Sequence, residues 1–184
     1  MRKARSDGYR SRAAYKLMEI NTRDRLLIPG AKVVDLGAAP GGWTQVAASI
    51  AGPGGRVIAI DLLDIAPIPG VSVLRGDFRE PAIRASLASA LNGAKADVVL
   101  SDLSPNISGI AATDQARAAE LVRLALEFCR EHLAPGGAFL VKVFQGEEFA
   151  GLLKETKAMF REVRALKPAA SREASRETYL LARK

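Results

Sequence analysis

Apolar residues along this chain recur at two spacings, one suited to helices and one to strands, and the two alternate from end to end. Tyr9, Ala13, Leu17 and Ile20 fall on one face of a helix predicted over residues 9–21. Val33 and Val34 mark a first strand, and an alanine-rich stretch over 43–50 gives a helix that the Gly-Pro-Gly-Gly run at 52–55 stops. RVIAID (56–61) reads as a second strand, and Pro67 and Pro69 mark a loop before a short third one, VSVLRG (71–76). A helix over 81–91, a strand at ADVVLSD (96–102) and a long helix over 113–132 follow, the last closing at Ala-Pro-Gly-Gly. GAFLVKVF (137–144) supplies a fifth strand and residues 147–160 a further helix. REVRALKP and ETYLLARK then form an antiparallel pair at one edge.

Repeated strand–helix units predict an α/β fold, a mostly parallel seven-stranded sheet with helices on both faces and an antiparallel edge strand. The 184 residues make one domain, 1–184, opening on a short basic segment of about residues 1–9, with no repeat or linker.

The loop after the first strand carries the most specific signal. VVDLGAAPGGWTQVA (33–47) is a strand, a glycine-rich turn and a helix start, and ligands of open α/β sheets sit beyond the carboxyl ends of such strands. Its glycines are Gly37, Gly41 and Gly42, so the Gly-x-Gly-x-x-Gly template of dinucleotide enzymes fails, and no Gly-Lys-Ser/Thr follows for a triphosphate. Asp35 can accept hydrogen bonds from a ligand or brace the loop. Asp61 ends the second strand, where a carboxylate commonly takes both hydroxyls of a ribose. Nucleotide-binding folds share that feature, so it selects no cofactor by itself.

Composition narrows the partners. One cysteine, Cys129, rules out an internal disulfide and fits a small core residue. With a single histidine, His132, a Cys/His metal site is not expected. No apolar run reaches the ~20 residues of a membrane span, and the N-terminus lacks a secretory core, which predicts a cytoplasmic protein. The net charge is +7, and all of the excess sits at the ends: a surplus of five over residues 1–25 and of four over 161–184, against a deficit of two between them. A polyanion held by both termini is the expected partner, with Arg2, Lys3, Arg5, Arg10, Arg12, Arg172 and Arg176 as candidate phosphate contacts.

Four polar residues stand where a plain core would be apolar: Lys16 in RSRAAYKL, Asp102 in SDLSPNISG, Lys142 inside FLVKVFQG and Glu177 in SRETYLLA. A lysine within an apolar strand is costly unless paired or neutral. These four, with SRAAYKL, DLGAAPGGW, SDLSPNISG, FLVKVFQG and SRETY, resemble the FtsJ/RrmJ (RlmE) family of ribosomal RNA 2′-O-methyltransferases from about Arg10 to the end. The resemblance implies a Rossmann-like class I S-adenosylmethionine-dependent methyltransferase fold and a Lys-Asp-Lys-Glu catalytic tetrad of Lys16, Asp102, Lys142 and Glu177. It implies that S-adenosylmethionine is the cofactor, held by Gly37, Gly41, Trp43, Asp61, Asp77 and Asp102, with Asp77 at the adenine, Phe78 helping to enclose it, and Trp43 and Gly41 on the methionine side. The implied reaction is methylation of a uridine ribose in 23S ribosomal RNA, on the large subunit; a compact basic domain of this kind is expected to be a monomer, and its composition predicts no metal. Family members often carry a longer basic leader than the one preceding Lys16 here. Lys142 either accepts the hydroxyl proton as a neutral amine or orients the hydroxyl as a cation. A transfer-RNA 2′-O-methyltransferase, a non-catalytic ribosome assembly factor and a dinucleotide oxidoreductase are the competing readings, the last opposed by the broken glycine fingerprint and the second by the intact tetrad.

Overall fold

The computed structural model of the chain describes residues 2–171 and 175–184, the side chains of Arg2 and Lys3 excepted. Seven strands form a single sheet: β1 (Lys32–Leu36), β2 (Arg56–Asp61), β3 (Val71–Arg75), β4 (Ala96–Ser101), β5 (Leu133–Phe144), β6 (Glu162–Leu166) and β7 (Glu177–Arg183). Their order is β3-β2-β1-β4-β5-β7-β6. The first five run parallel, and β7 lies antiparallel to both β5 and β6. The antiparallel pair therefore closes one edge as the sequence predicts, with β7 on its inner side.

Period-two alternation sends neighbouring residues to opposite faces of the sheet. Val34, Ile58, Val99, Val141 and Leu180 pack against α4 (Pro81–Ala90), α5 (Ala111–His132) and α6 (Phe149–Met159). Val33, Val57, Val98, Leu140 and Tyr179 pack against α2 (Ala13–Asp24) and α3 (Gly42–Ala51). Lys142, two residues on from Leu140, thus shares the α2–α3 side with Tyr179, its register partner on β7. Cys129 is fully buried in the α5 face, as a small core residue should be.

Two boundaries depart from the apolar pattern. The first predicted helix starts at Ala13 and runs to Asp24, and a separate short α1 (Arg2–Ser6) precedes it. Gly8, at φ +82, ends α1, and the intervening chain is tied to α3 by Gln45, which accepts from the Arg10 N–H and donates to the Gly8 carbonyl. The Ala-Pro-Gly-Gly run lies inside β5, where the register with β4 shifts between Ala96 and Val98, so a bulge replaces the expected loop.

Candidate active site

From β1 the chain winds outward to β3, then returns to β4 on the other side of β1. The loops after β1 and β4 therefore part at the sheet's switch point, which opens a crevice there. They also touch. Gly37 sits at φ +75, and a Cβ there would lie 2.8 Å from the Leu103 Cα and N atoms, so only glycine fits both the backbone and the neighbour. Gly37→Ala is accordingly expected to lower stability in urea melts by about 3 kcal/mol. Gly30→Ala, at φ +81 with nothing within 4 Å, loses only the backbone term, about 1 kcal/mol.

The crevice holds a cavity of about 610 Å³. Gly37 and Ala39 line it from the β1 loop, Asp61, Leu62 and Leu63 from the end of β2, and Asp77 and Phe78 from the end of β3. Asp102 to Asn106 and Lys142 form the opposite wall, with Arg117 and Glu120 of α5 beside them. The size and the mixed apolar and charged lining suit a nucleoside-sized ligand. Both Asp61 oxygens face the cavity loops, Oδ2 accepting from the Ala39 N–H and Oδ1 from the Leu63 N–H, each at 2.9 Å. Asp77 is held by Arg79, whose Nε lies 3.0 Å from both carboxylate oxygens. Those hydrogen bonds keep its carboxyl below the usual range.

Two ion pairs join the four residues of the expected tetrad. Lys142 Nζ lies 3.0 Å from Asp102 Oδ1 and also donates to the Asp102 carbonyl at 3.0 Å and to Ser104 Oγ at 2.6 Å. Lys16 Nζ donates to Glu177 Oε2 at 2.8 Å and to the Tyr179 hydroxyl at 3.2 Å. Only Asp102 and Lys142 line the cavity; Lys16 and Glu177 stand behind them. The pairs feel each other. Burial pushes the Asp102 carboxyl up, against the pull of Lys142 and Lys16. Burial acts the same way on Glu177, but the hydrogen bond and charge of Lys16, with the charge of Lys142, outweigh it and hold that carboxyl down. Residues up to 161 positions apart in the chain thus form one electrostatic cluster.

A sequence model of the FtsJ-like methyltransferases matches residues 9–184. This chain belongs to the FtsJ-like methyltransferase family. A relative from Azoarcus sp. (strain BH72), named ribosomal RNA large subunit methyltransferase E, is 58% identical over 181 residues, 98% of this chain and 88% of its own length. The Chromobacterium violaceum protein of that name is 54% identical over 178 residues, 97% of this chain and 87% of its own. Among solved structures, a Plasmodium falciparum protein described as a ribosomal RNA methyltransferase superposes with a TM-score of 0.83 at 29% identity, covering 96% of this chain and 98% of that one.

FtsJ-like membership implies a methyl donor, and the cavity walls fit one: a carboxylate at the end of β2, exposed Leu62 and Leu63, and a glycine turn too tight for a Cβ. Of the residues expected to hold it, Gly37, Asp61, Asp77 and Asp102 line the cavity, as does Phe78. Gly41 and Trp43 do not. The Trp43 side chain is buried, its indole N–H donating to the Ala13 carbonyl at 2.8 Å and its ring packing on Tyr179 at 5.7 Å. Its place is the seam between α2, α3 and β7, where it seats the helix that carries Lys16.

Two neighbours of the tetrad escaped the sequence reading. Tyr179 is fully buried beside Lys16, and burial with the charges of Asp102 and Glu177 raises its hydroxyl well above the ordinary range. Its position two residues after Glu177 on one strand face was the available signal. Ser104 carried none, because a serine in a polar loop is unremarkable. The basic ends also resolve unevenly. Arg5, Arg12 and Arg176 are exposed. Arg10 instead donates to the carbonyls of Ala66 at 2.6 Å and Pro67 at 2.9 Å, clamping the loop before β3. Arg172 and the side chains of Arg2 and Lys3 lie outside the described residues.

Proposed function

We propose that this chain methylates the ribose 2′-hydroxyl of a uridine in 23S ribosomal RNA, with S-adenosylmethionine as donor, acting as a cytoplasmic monomer on the large ribosomal subunit. The observation that carries the reading is the Lys142–Asp102 pair on the wall of a nucleoside-sized cavity, electrostatically coupled to the Lys16–Glu177 pair. The names of the relatives from Azoarcus and Chromobacterium supply the substrate class.

When bound, S-adenosylmethionine supplies a methyl group already activated by its positive sulfur. The chain must therefore place a hydroxyl oxygen and ease loss of its proton. Lys142 Nζ donates to the Asp102 carbonyl and to Ser104 Oγ, and the Asp102 carboxylate lies 3.0 Å away as its ion-pair partner. In this setting Lys142 acts as a cation, orienting the hydroxyl oxygen and stabilising the negative charge it gains as its proton departs. Loss of that proton is concerted with C–O bond formation, so a nearby carboxylate suffices to accept it. Asp102, raised by burial, stands beside Lys142 for that purpose. Lys16, held by Glu177 and Tyr179, maintains the positive potential behind the pair. Exposed Arg12 lies one helical turn before Lys16, and exposed Arg176 directly precedes Glu177, so phosphate contacts would flank the centre.

Labelled-methyl transfer to large subunits from a strain lacking the enzyme tests the reading, with mapping of the modified sugar. Label in a uridine 2′-O-methyl group of 23S RNA is the expected result. Label only in transfer RNA, or in a base, would overturn it.

A further inference from the structure

The geometry points to Ser104 as a stand-in for the substrate: its hydroxyl occupies the place on Lys142 that the ribose 2′-hydroxyl takes during the reaction. This inference rests on the reading of the site as a ribose methylation centre.

Three oxygens crowd Lys142 Nζ: it donates to the Asp102 carbonyl at 3.0 Å and to Ser104 Oγ at 2.6 Å, and it pairs in charge with Asp102 Oδ1 at 3.0 Å, an oxygen with no hydrogen-bond partner among the described residues. With three oxygens already within 3.0 Å of Nζ, a ribose oxygen arriving there competes with them for the cation. The Asp102 main chain is anchored by the sheet, since its N–H is bonded to the Leu36 carbonyl of β1 at 2.9 Å directly after β4. Ser104 is the exposed member, at the start of a stretch without helix or strand that runs to Ile110. It is also chemically the same group as the incoming one, a neutral hydroxyl accepting from the same nitrogen, and it lines the same cavity. Shape is imposed on the stretch from its far end, where Asp114 accepts from the Ser108 N–H and hydroxyl at 2.8 and 2.7 Å. Displacing Ser104 therefore means turning its side chain or shifting residues 103–106 against a fixed hinge.

The consequence is a competition inside the resting enzyme. The fraction of molecules with Ser104 on Lys142 is not competent to receive the hydroxyl, and the apparent affinity for RNA falls by that fraction. Without the serine hydroxyl a water takes its place, but a water departs with a gain in entropy and without moving the loop.

In steady-state methyl transfer to undermethylated large subunits, Ser104→Ala is expected to lower KM for the particle about three- to tenfold, with kcat within about twofold. Ser104→Thr, which restores a hydroxyl, should return KM to the wild-type value. An unchanged KM would overturn the proposal, as would a fall in kcat that threonine restores, because the hydroxyl would then be holding Lys142 in place. A second arm needs no methyl transfer: NMR titration with uridine 5′-monophosphate and its 2′-deoxy counterpart. Ser104→Ala should bind the ribonucleotide more tightly than the wild type by a similar factor, and the deoxynucleotide equally. The absence of any 2′-hydroxyl preference in both proteins overturns the inference. Particles that accept no methyl group from any variant would instead remove the functional reading, and the ribose preference would still decide the role of Ser104.

Discussion

Lys142→Ala is expected to lower kcat for methyl transfer by about 10³-fold or more while changing S-adenosylmethionine affinity by less than about threefold. The split follows from where the side chain ends. Its Nζ contacts Asp102 and Ser104 at the inner wall, whereas the residues that fit a nucleoside, Asp61, Leu62, Leu63 and Asp77, lie across the cavity on the ends of β2 and β3. Removing the amine also leaves Asp102 without its cation, which by itself would push that carboxyl further upward and cost stability. The side chain of Asp102 keeps 27% of its surface exposed, so solvent softens that cost. A thermal melt on the same preparation separates the two effects. Lys142→Arg should not restore turnover, because a planar fork cannot occupy a pocket built around a point charge that meets three acceptors at 3.0 Å or less. Turnover within tenfold of wild type in the alanine variant would remove Lys142 from the chemistry. A parallel loss of cofactor binding would assign it to the pocket instead.

How far the sequence carried this picture depended on whether a feature is local. Strands β1, β2 and β4 and helices α4 and α6 are legible because each has a clean apolar period and a punctuating glycine or proline. Lys142 is legible because a charge inside an apolar run demands a partner, and Glu177 through the resemblance that groups it with Lys16, Asp102 and Lys142. The pairing of Lys16 with Glu177 was not, since it depends on the strand order, with β7 inserted between β5 and β6. Trp43 shows the opposite limit. A tryptophan beside a glycine loop fits a ligand wall, a packing seam or both by sequence, and the Ala13 carbonyl opposite its indole N–H puts the side chain in the seam. Arg10 likewise reads as a phosphate contact until Ala66 and Pro67 are found against its guanidinium.

Asp35→Asn is expected to make the protein more stable above pH 7 while leaving it nearly unchanged near pH 4. Asp35 is fully buried on β1, where its Oδ2 accepts from the Thr44 hydroxyl at 2.6 Å and its Oδ1 has no hydrogen-bond partner among the described residues. Burial raises its carboxyl to about 7, Thr44 pulls it down, and the charges of Asp102 and Asp61 add to the rise. A folded-state value above the unfolded one means that the stabilisation is complete below the unfolded pKa, 3.8, and is lost as pH rises through 7. That shift corresponds to about 4 kcal/mol, or roughly 10 °C in Tm for a chain of this length. Asparagine fills the same volume, still accepts from Thr44 and has no charge to bury, so its profile lacks this slope. Comparing the two proteins cancels the carboxylates that both retain, including Glu177, Asp77 and Asp114, whose lowered values act in the opposite sense. Thermal melts at half-unit intervals from pH 4 to pH 8 should show two curves that coincide at the acid end and diverge toward neutrality. Curves that stay parallel throughout would mean that Asp35 is ionised in the folded protein at every pH tested. Its unpartnered oxygen would then have to be satisfied by a group other than the described residues.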